Sequence, residues 1–411
     1  GKLGEVEIAA VGIANQYFFL FNMILVGLCG GCSVFFSQFW GKKDTESINK
    51  VVGMGLVSVA LFSIIFMIGG FIFPEKIISL FNKDPLVIDF GARYLSIVAI
   101  SYIFTGITFV YSYALRSTGN TVQPLVVSIV SLLINVFFNY MLIFGKFGAP
   151  ALGVSGAAVA TVIARVAETI ILIFLIYKSK DVLAASIKEL TDFNFEFVKK
   201  SYKVIFPVIL NDICWGLASL VYAAVYGRIG TQAVAAVQIC NTVNNLFMVV
   251  GYGLSSSSAI MIGNSIGEGK EHQGVDYAKK FMIISIVTSV FLGLLLSISS
   301  PLILNMFNIS TEVRSSAQAI LYIISFIFFI RISGLVIIVG ILRGGGDASS
   351  AFIIEGFTMW FIGVPLMIIG AFVFKFPVHI VYALAIFEEL AKCILGLMRI
   401  KSGKWIKNLT A

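Results

Sequence analysis

The chain carries little charge for its length. Only 12% of its 411 residues are Asp, Glu, Lys or Arg, where a soluble surface needs roughly a quarter. That excludes the two or three soluble domains this length would otherwise suggest. Histidine is nearly missing: His272 and His379 are the only two, both in or near loops with no second ligand in view. No metal site is expected, and a membrane-embedded enzyme lacks the His, Ser or Asp constellation it would need. Cysteine is scarce as well. Cys29, Cys32, Cys214, Cys240 and Cys393 all fall in apolar stretches, which argues against a disulfide framework. The Gly344–Gly346 run has no Lys-Ser/Thr after it and no strand before it, so it is not a phosphate loop. With no nucleotide motif, no cofactor is expected and ATP hydrolysis has no visible home.

What the chain does have is apolar sequence: 59% hydrophobic residues and a mean hydropathy of +0.99. Long apolar runs separated by short polar loops predict an all-α polytopic membrane protein. Eleven spans are expected near 9–38, 51–73, 90–114, 124–144, 154–177, 203–226, 232–262, 277–299, 316–341, 351–374 and 377–398. The net charge of +8 is not a nucleic-acid signal, because the basic residues sit in alternate loops. One set of loops, ending with the C-terminal tail, holds 18 Lys and Arg, and the other holds 7. The positive-inside rule puts the first set, with the C-terminus, in the cytoplasm. A multi-pass protein of the plasma membrane is the expected setting, with the bilayer as its main surroundings.

The sequence also repeats itself. Gly1–Ile13 reads GKLGEVEIAAVGI and Gly227–Ile239 reads GRIGTQAVAAVQI, with six of 13 positions identical. The 226-residue offset recurs: Gln38 and Gly41 fall on Asn264 and Gly267, and Phe81-Asn82 falls on Phe307-Asn308. At 227, Arg116–Ser117–Thr118–Gly119–Asn120 falls on Arg343–Gly344–Gly345–Gly346–Asp347. Duplication of this period implies two pseudo-symmetric six-helix lobes. The second copy opens with a span at 203–226, and no counterpart precedes Gly1. The expected layout is therefore an N-terminal lobe at 1–178 holding helices 2–6 of twelve, a cytoplasmic linker at 179–202, and a C-terminal lobe at 203–411 with a short basic tail. Eleven helices, five plus six, are expected. In the linker, Leu183, Ile187, Leu190 and Phe197 either line one face of an interfacial helix or belong to a solvated connector.

The two Arg-x-x-Gly-Asn/Asp loops, the paired Gln38…Gly41 and Asn264…Gly267, the Gly-Arg-Ile-Gly-Thr…Ala-Ala-Val stretch and the ending Glu388-Glu389…Lys392…Arg399…Trp405…Asn408 together resemble the multidrug and toxic compound extrusion (MATE) transporters. The resemblance covers essentially the whole chain, with the first helix missing. It implies twelve helices, alternating access, and export of drugs, toxins or metabolites against inward Na⁺ or H⁺. It also implies a membrane-buried carboxylate on the first helix of one or both lobes. In this sequence only Asp212 matches such a position.

An ionisable side chain near mid-bilayer costs about 2.5 kcal/mol or more and so needs a partner or a task. Asp212 shares a helix face with Trp215, Ser219 and Tyr222, a face that suits an organic cation. It is a candidate coupling site for a cation or proton, or else a structurally paired carboxylate. Glu355 is the second candidate, with partial solvation near the helix end as the plainer reading. Arg331 is the expected counter-ion of one of these two. Arg165 and Glu168 are spaced i,i+3, and so are Glu389 and Lys392 with charges reversed, which predicts one structural ion pair in each lobe. Glu388 has no evident partner. Amides recur on the second span of each lobe: Asn15 and Asn22 in the first copy, Gln238, Asn241 and Asn245 in the second. They either line a substrate cavity or bond across helices; Asn135 and Asn139 read as packing. Cys29-Gly-Gly-Cys32 aligns with Ser255–Ser258, so both stretches read as close helix contacts. The functional expectation is a monomeric secondary antiporter exporting amphipathic or cationic organic compounds in exchange for Na⁺ or H⁺. The alternative is a flippase for lipids or lipid-linked oligosaccharides, which a Lys- and Arg-rich cavity would favour.

Overall fold

The computed structural model describes residues 4–410. Gly1, Lys2 and Leu3, which open the repeat motif, lie outside the described residues. Every regular element described is helical. Among the described residues, ten helices are long and apolar enough to cross a bilayer. In lipid the backbone must bond to itself, and continuous helices are the simplest way to do so. The protein is a multi-pass membrane protein of the all-α class.

One compact unit comprises residues 4–36 and 44–202. It holds most of α1 (Glu5–Lys42), then α2 (Thr45–Ile72), the short α3 (Pro74–Ser79), α4 (Pro85–Ser117), α5 (Val122–Phe144), α6 (Gly153–Lys178) and the short α7 (Ile187–Thr191). Helix starts follow the local chemistry: Asp44 and Asp84 accept from the Ser47 and Leu86 amides at the N-caps of α2 and α4, with Pro85 at the first turn of α4. On α5, Leu132 and Leu133 are 61% and 63% exposed, the pattern of a lipid-facing helix. Cys29 and Cys32 are free thiols buried in packing. Asn139 donates to Asn135 at 2.8 Å. The linker does not form a single amphipathic helix. Only Ile187–Thr191 is helical between 179 and 194, Leu183 is buried and Ile187 is 81% exposed. Backbone contact fixes it instead, since a Cβ on Gly53 would lie 1.6 Å from the Leu190 carbonyl oxygen.

The other unit comprises residues 37–43 and 203–410. Its helices are α8 (Phe195–Ile229, from Lys203 on), α9 (Thr231–Gly267), α10 (Glu271–Asn305), α11 (Thr311–Leu342), α12 (Ala348–Val373), α13 (Val378–Ala383) and α14 (Ala385–Lys401). The span expected at 377–398 is broken at Leu384 into α13 and α14. Val336–Leu342 in α11 and Thr358–Gly363 in α12 are π-helical, widened turns that often accompany functional sites. The last turns of α1 cross α9 in this unit. A Cβ on Gly41 would lie 1.9 Å from the Asn264 carbonyl oxygen, and one on Gly267 would lie 1.8 Å from that of Gln38. The residues related by the repeat therefore touch one another reciprocally.

The tail is strapped over this crossing. Trp405 is 1% exposed, against Gly345, where a Cβ would lie 2.3 Å from its ring. The Lys407 amide donates to the Gly345 carbonyl at 2.8 Å. Gln38 donates to the Lys407 carbonyl at 3.1 Å and accepts from the Leu409 amide at 2.7 Å. Asp347, fully buried, accepts from Arg399 at 2.7 Å and Lys407 at 2.6 Å. Burial alone would push its carboxyl up, but Arg399 and Lys407 outweigh that and hold it below the usual carboxylate range.

Candidate functional site: a buried ionic network in the second unit

Helix α8 places Asn211 and Asp212 next to each other, about 100° apart around its axis, so they reach different neighbours. The Asn211 amide donates to Glu355 Oε2 on α12 at 2.6 Å. Asp212 Oδ1 accepts from Arg343, just past the widened end of α11, at 2.7 Å. On α14, Glu388 and Lys392 are four residues apart and Glu389 and Lys392 three, so one turn brings all three together. The Lys392 ammonium lies 3.3 Å from Glu389, 3.4 Å from Glu388 and 3.5 Å from Glu355. Glu388 also accepts from the Tyr222 hydroxyl at 2.6 Å. That contact needs Gly363, where a Cβ would lie 2.3 Å from the Glu388 carboxylate and 2.4 Å from the tyrosine oxygen. Glu389 continues to Arg331 at 3.8 Å, and Arg331 to the Tyr382 hydroxyl at 3.5 Å.

Two ionic groups thus meet α8: the Asp212–Arg343 pair and, held to α8 through Asn211, a cluster of three carboxylates (Glu355, Glu388, Glu389) and two cations (Arg331, Lys392). The cluster is one positive charge short. Two oxygens on α8, Asp212 Oδ2 and Asn211 Oδ1, are buried and accept no hydrogen bond among the described residues. Buried polar atoms are nearly always partnered, and these two acceptors on successive residues of α8 are left with lone pairs that no donor fills.

A family model described as MatE matches residues 1–141 and 207–369. The chain belongs to the MatE family of MATE transporters. The family is one of transporters rather than enzymes. Among similar proteins, the Thermotoga maritima "Probable multidrug resistance protein NorM" is 24% identical, over 97% of this chain and 86% of its own. The Bacillus subtilis "Probable multidrug resistance protein YoeA" is 27% identical, over 89% of this chain and 79% of its own. Two solved structures share the fold. MATE in the bent conformation has a TM-score of 0.88 at 17% identity, covering 98% of this chain and 89% of that one. A point mutant of the Vibrio cholerae MATE transporter VcmN has a TM-score of 0.86 at 20% identity, covering 100% and 91%.

In this MatE protein the two coupling candidates meet neighbouring positions of α8: Glu355 accepts from Asn211, the residue before Asp212, while Asp212 pairs with Arg343. Arg331 is not the counter-ion of either. It lies beside Glu389, and the partner of Asp212 is Arg343, because the turn after α11 dips into the protein and leaves Arg343 only 6% exposed. Glu388 does have partners, in Tyr222 and Lys392. Arg165 and Glu168 are 3.6 Å apart, and Glu389–Lys392 is part of a larger assembly. Tyr222 joins the charged network instead of an open wall, while Trp215 is 40% exposed and Ser219 donates to its own helix at 3.0 Å. Asn15, Gln238 and Asn245 are exposed and Asn22 and Asn241 half-buried. None of the hydrogen bonds among the described residues engages their side chains.

Sequence reasoning missed Arg343, Asn211 and Tyr382. For Arg343 a signal existed: three glycines follow it directly, and a turn that permits such close approach can sit inside a protein. Asn211 was visible as a second polar residue beside Asp212 in an apolar run.

Proposed function

We propose that the chain is a secondary antiporter that exports amphipathic or cationic organic compounds in exchange for Na⁺ or H⁺. The observation that carries this is the pair of orphan oxygens on Asp212 and Asn211 beside a cluster one positive charge short. The names of relatives point to multidrug resistance, and MATE structures have been solved in complex with MaD3S and with MaL6. In the second unit, the exposed amides at Gln238 and Asn245 and the exposed Trp215 supply neutral hydrogen bonding and an aromatic face for an organic cation.

An incoming cation or proton takes the free oxygen of Asp212, with Asn211 and Glu355 as further ligands. It competes with Arg343 for the same carboxylate. Since Arg343 ends α11, weakening that pair changes the relative energy of two conformations, which is what couples an ion to alternating access. The substrate and the ion would use the two states in turn. The asymmetry of Lys and Arg in alternate loops supports a cytoplasmic C-terminus, and export from the cell makes the plasma membrane the setting of this reading. The transporter acts as a monomer and needs no cofactor beyond the coupling ion.

The test is efflux of ethidium from proteoliposomes under an imposed Na⁺ or pH gradient. Asp212→Asn should reduce gradient-driven efflux at least tenfold while the folded protein is recovered at normal yield. Gradient-driven efflux unchanged in that variant removes Asp212 from the mechanism.

A further inference from the structure

We propose that Lys392 is a tethered monovalent cation that competes with the coupling ion for Glu355, and so sets how tightly that ion binds and how readily it leaves. This rests on the reading of Asp212, Asn211 and Glu355 as the ion site.

The geometry of the ammonium carries the inference. Charge-assisted N–H···O bonds settle at about 2.7–2.9 Å. Arg343 meets Asp212 at 2.7 Å. Lys392 meets none of its three carboxylates that closely: 3.3, 3.4 and 3.5 Å. It sits between them, its three donors divided over three acceptors, docked on no single one. A clamp serving only to hold α14 against α12 would close on one partner. The side chain is only 6% exposed, so water does not share the work. A lysine is a compact charge on a flexible four-carbon stem, and a small swing would carry it toward Glu355 or back toward Glu388 and Glu389.

That swing has a consequence for the ion. With the site empty, the ammonium partly neutralises Glu355. With an external cation on Glu355, the ammonium retreats to Glu388 and Glu389 and is never left buried and unpaired, an outcome that would cost several kcal/mol. Lys392 thus stands in for the ion between cycles, speeds its release, and gives up its place when it returns. An arginine, planar and bidentate, would lock onto one carboxylate more readily.

Several other titratable groups face this cluster. Asp212, Cys214, Tyr222 and Tyr226 do so from α8, and Tyr252 reaches Arg331 from α9. Arg331 and Arg343 border it from α11 and its end, Tyr382 from α13, and Cys393 from α14 beside Lys392. All remain in a Lys392 variant, so a change in ion dependence reads the ammonium itself.

The experiment uses the full chain in proteoliposomes, with ethidium as exported cation and either Na⁺ or H⁺, whichever gradient drives efflux, as the varied ion. Lys392→Gln and Lys392→Met should each lower the half-saturating concentration of that ion tenfold or more and reduce maximal efflux. Glu388→Gln leaves an acceptor for Tyr222 but sends the ammonium toward Glu355, so it should raise the half-saturating concentration. This variant gives a reading even where the neutral Lys392 variants do not fold. Half-saturation unchanged in Lys392→Gln, or unchanged or lowered in Glu388→Gln, overturns the proposal. If Asp212→Asn abolishes coupling while Lys392→Gln leaves half-saturation alone, only this inference fails. If Asp212→Asn has no effect, the reading of the ion site itself fails.

Discussion

The two units treat buried charge differently, although their sequences match at a repeat of 226–227 residues. In the first, Glu168 accepts from Ser128 at 3.2 Å and Ser131 at 3.3 Å and faces Arg165 at 3.6 Å. Two hydroxyls and one guanidinium answer its charge, all from α5 and from α6 itself. Arg116 folds back on its own helix, donating to the Ser112 carbonyl at 3.1 Å and lying over the Tyr113 ring. In the second, the repeat mate Arg343 leaves its helix for Asp212, and Lys392, at the position matching Glu168, joins carboxylates from two helices. The same scaffold thus closes on itself in one copy. In the other it carries a network across α8, α11, α12 and α14 with acceptor oxygens left over. A polar group satisfied within its own helix pair can only stabilise. One that is shared between helices and left incomplete can respond to an ion.

The sharpest way to break this contrast is to make the same conservative change in both units. Glu355→Gln should reduce gradient-driven ethidium efflux more than tenfold. Glu168→Gln removes a charge opposite a half-buried arginine while an amide oxygen can still accept from Ser128 and Ser131. Efflux should stay within about twofold, and stability should fall by about 1–3 kcal/mol. Equal losses from both would show that the first unit carries coupling charge too.

The fold was largely legible because hydrophobic runs and repeat offsets are local signals. The detail it missed is in the last span, which turns at Leu384 between Val378–Ala383 and Ala385–Lys401, a one-residue break that hydropathy does not announce. The site was half legible. A carboxylate in an apolar run is conspicuous, so Asp212 and Glu355 stood out on their own. Their partners were not deducible, because pairing depends on how α8, α11, α12 and α14 are turned against one another, and helical spacing fixes only the partners within a helix. Arg331 was the deeper arginine by sequence, yet the turn at Gly344–Gly346 brings Arg343 to Asp212.

Where the copies agree, the agreement is backbone contact, and that too can be tested. Gly41→Ala and Gly267→Ala each drive a methyl group into a carbonyl of the crossing helix. Each should cost about 1–3 kcal/mol, read as a lower melting temperature in detergent. Because the two contacts belong to one crossing, the double variant should lose less than the sum of the singles. Gly12→Ala, with nothing within 4 Å of the added atom, is the control and should be neutral or slightly stabilising. Full additivity would mean that the two glycines do not share one crossing.

The smallest effect lies at the ends of the matched Arg-x-x-Gly loops. Asn120 caps a neighbouring turn in the first copy, accepting from the Gln123 amide at 3.3 Å, while its mate Asp347 accepts from Arg399 and Lys407 of the tail. Asp347→Asn should therefore cost about 1–2 kcal/mol, and Asn120→Asp should change stability by no more than about 0.5 kcal/mol. The pH dependence identifies the cause. The carboxyl of Asp347 is held below its ordinary value in the folded protein, so as pH falls the unfolded chain takes up the proton first, near about pH 3.9. The stabilisation is thus complete above about pH 5. It drains away as pH falls from about 4 through the lower folded value. Wild type and Asp347→Asn should differ by a constant amount in melting experiments from neutral pH down to about pH 5, then converge. A gap that persists undiminished at the lowest pH the protein tolerates would mean that Asp347 holds the tail by shape and hydrogen bonding, with its charge playing no part.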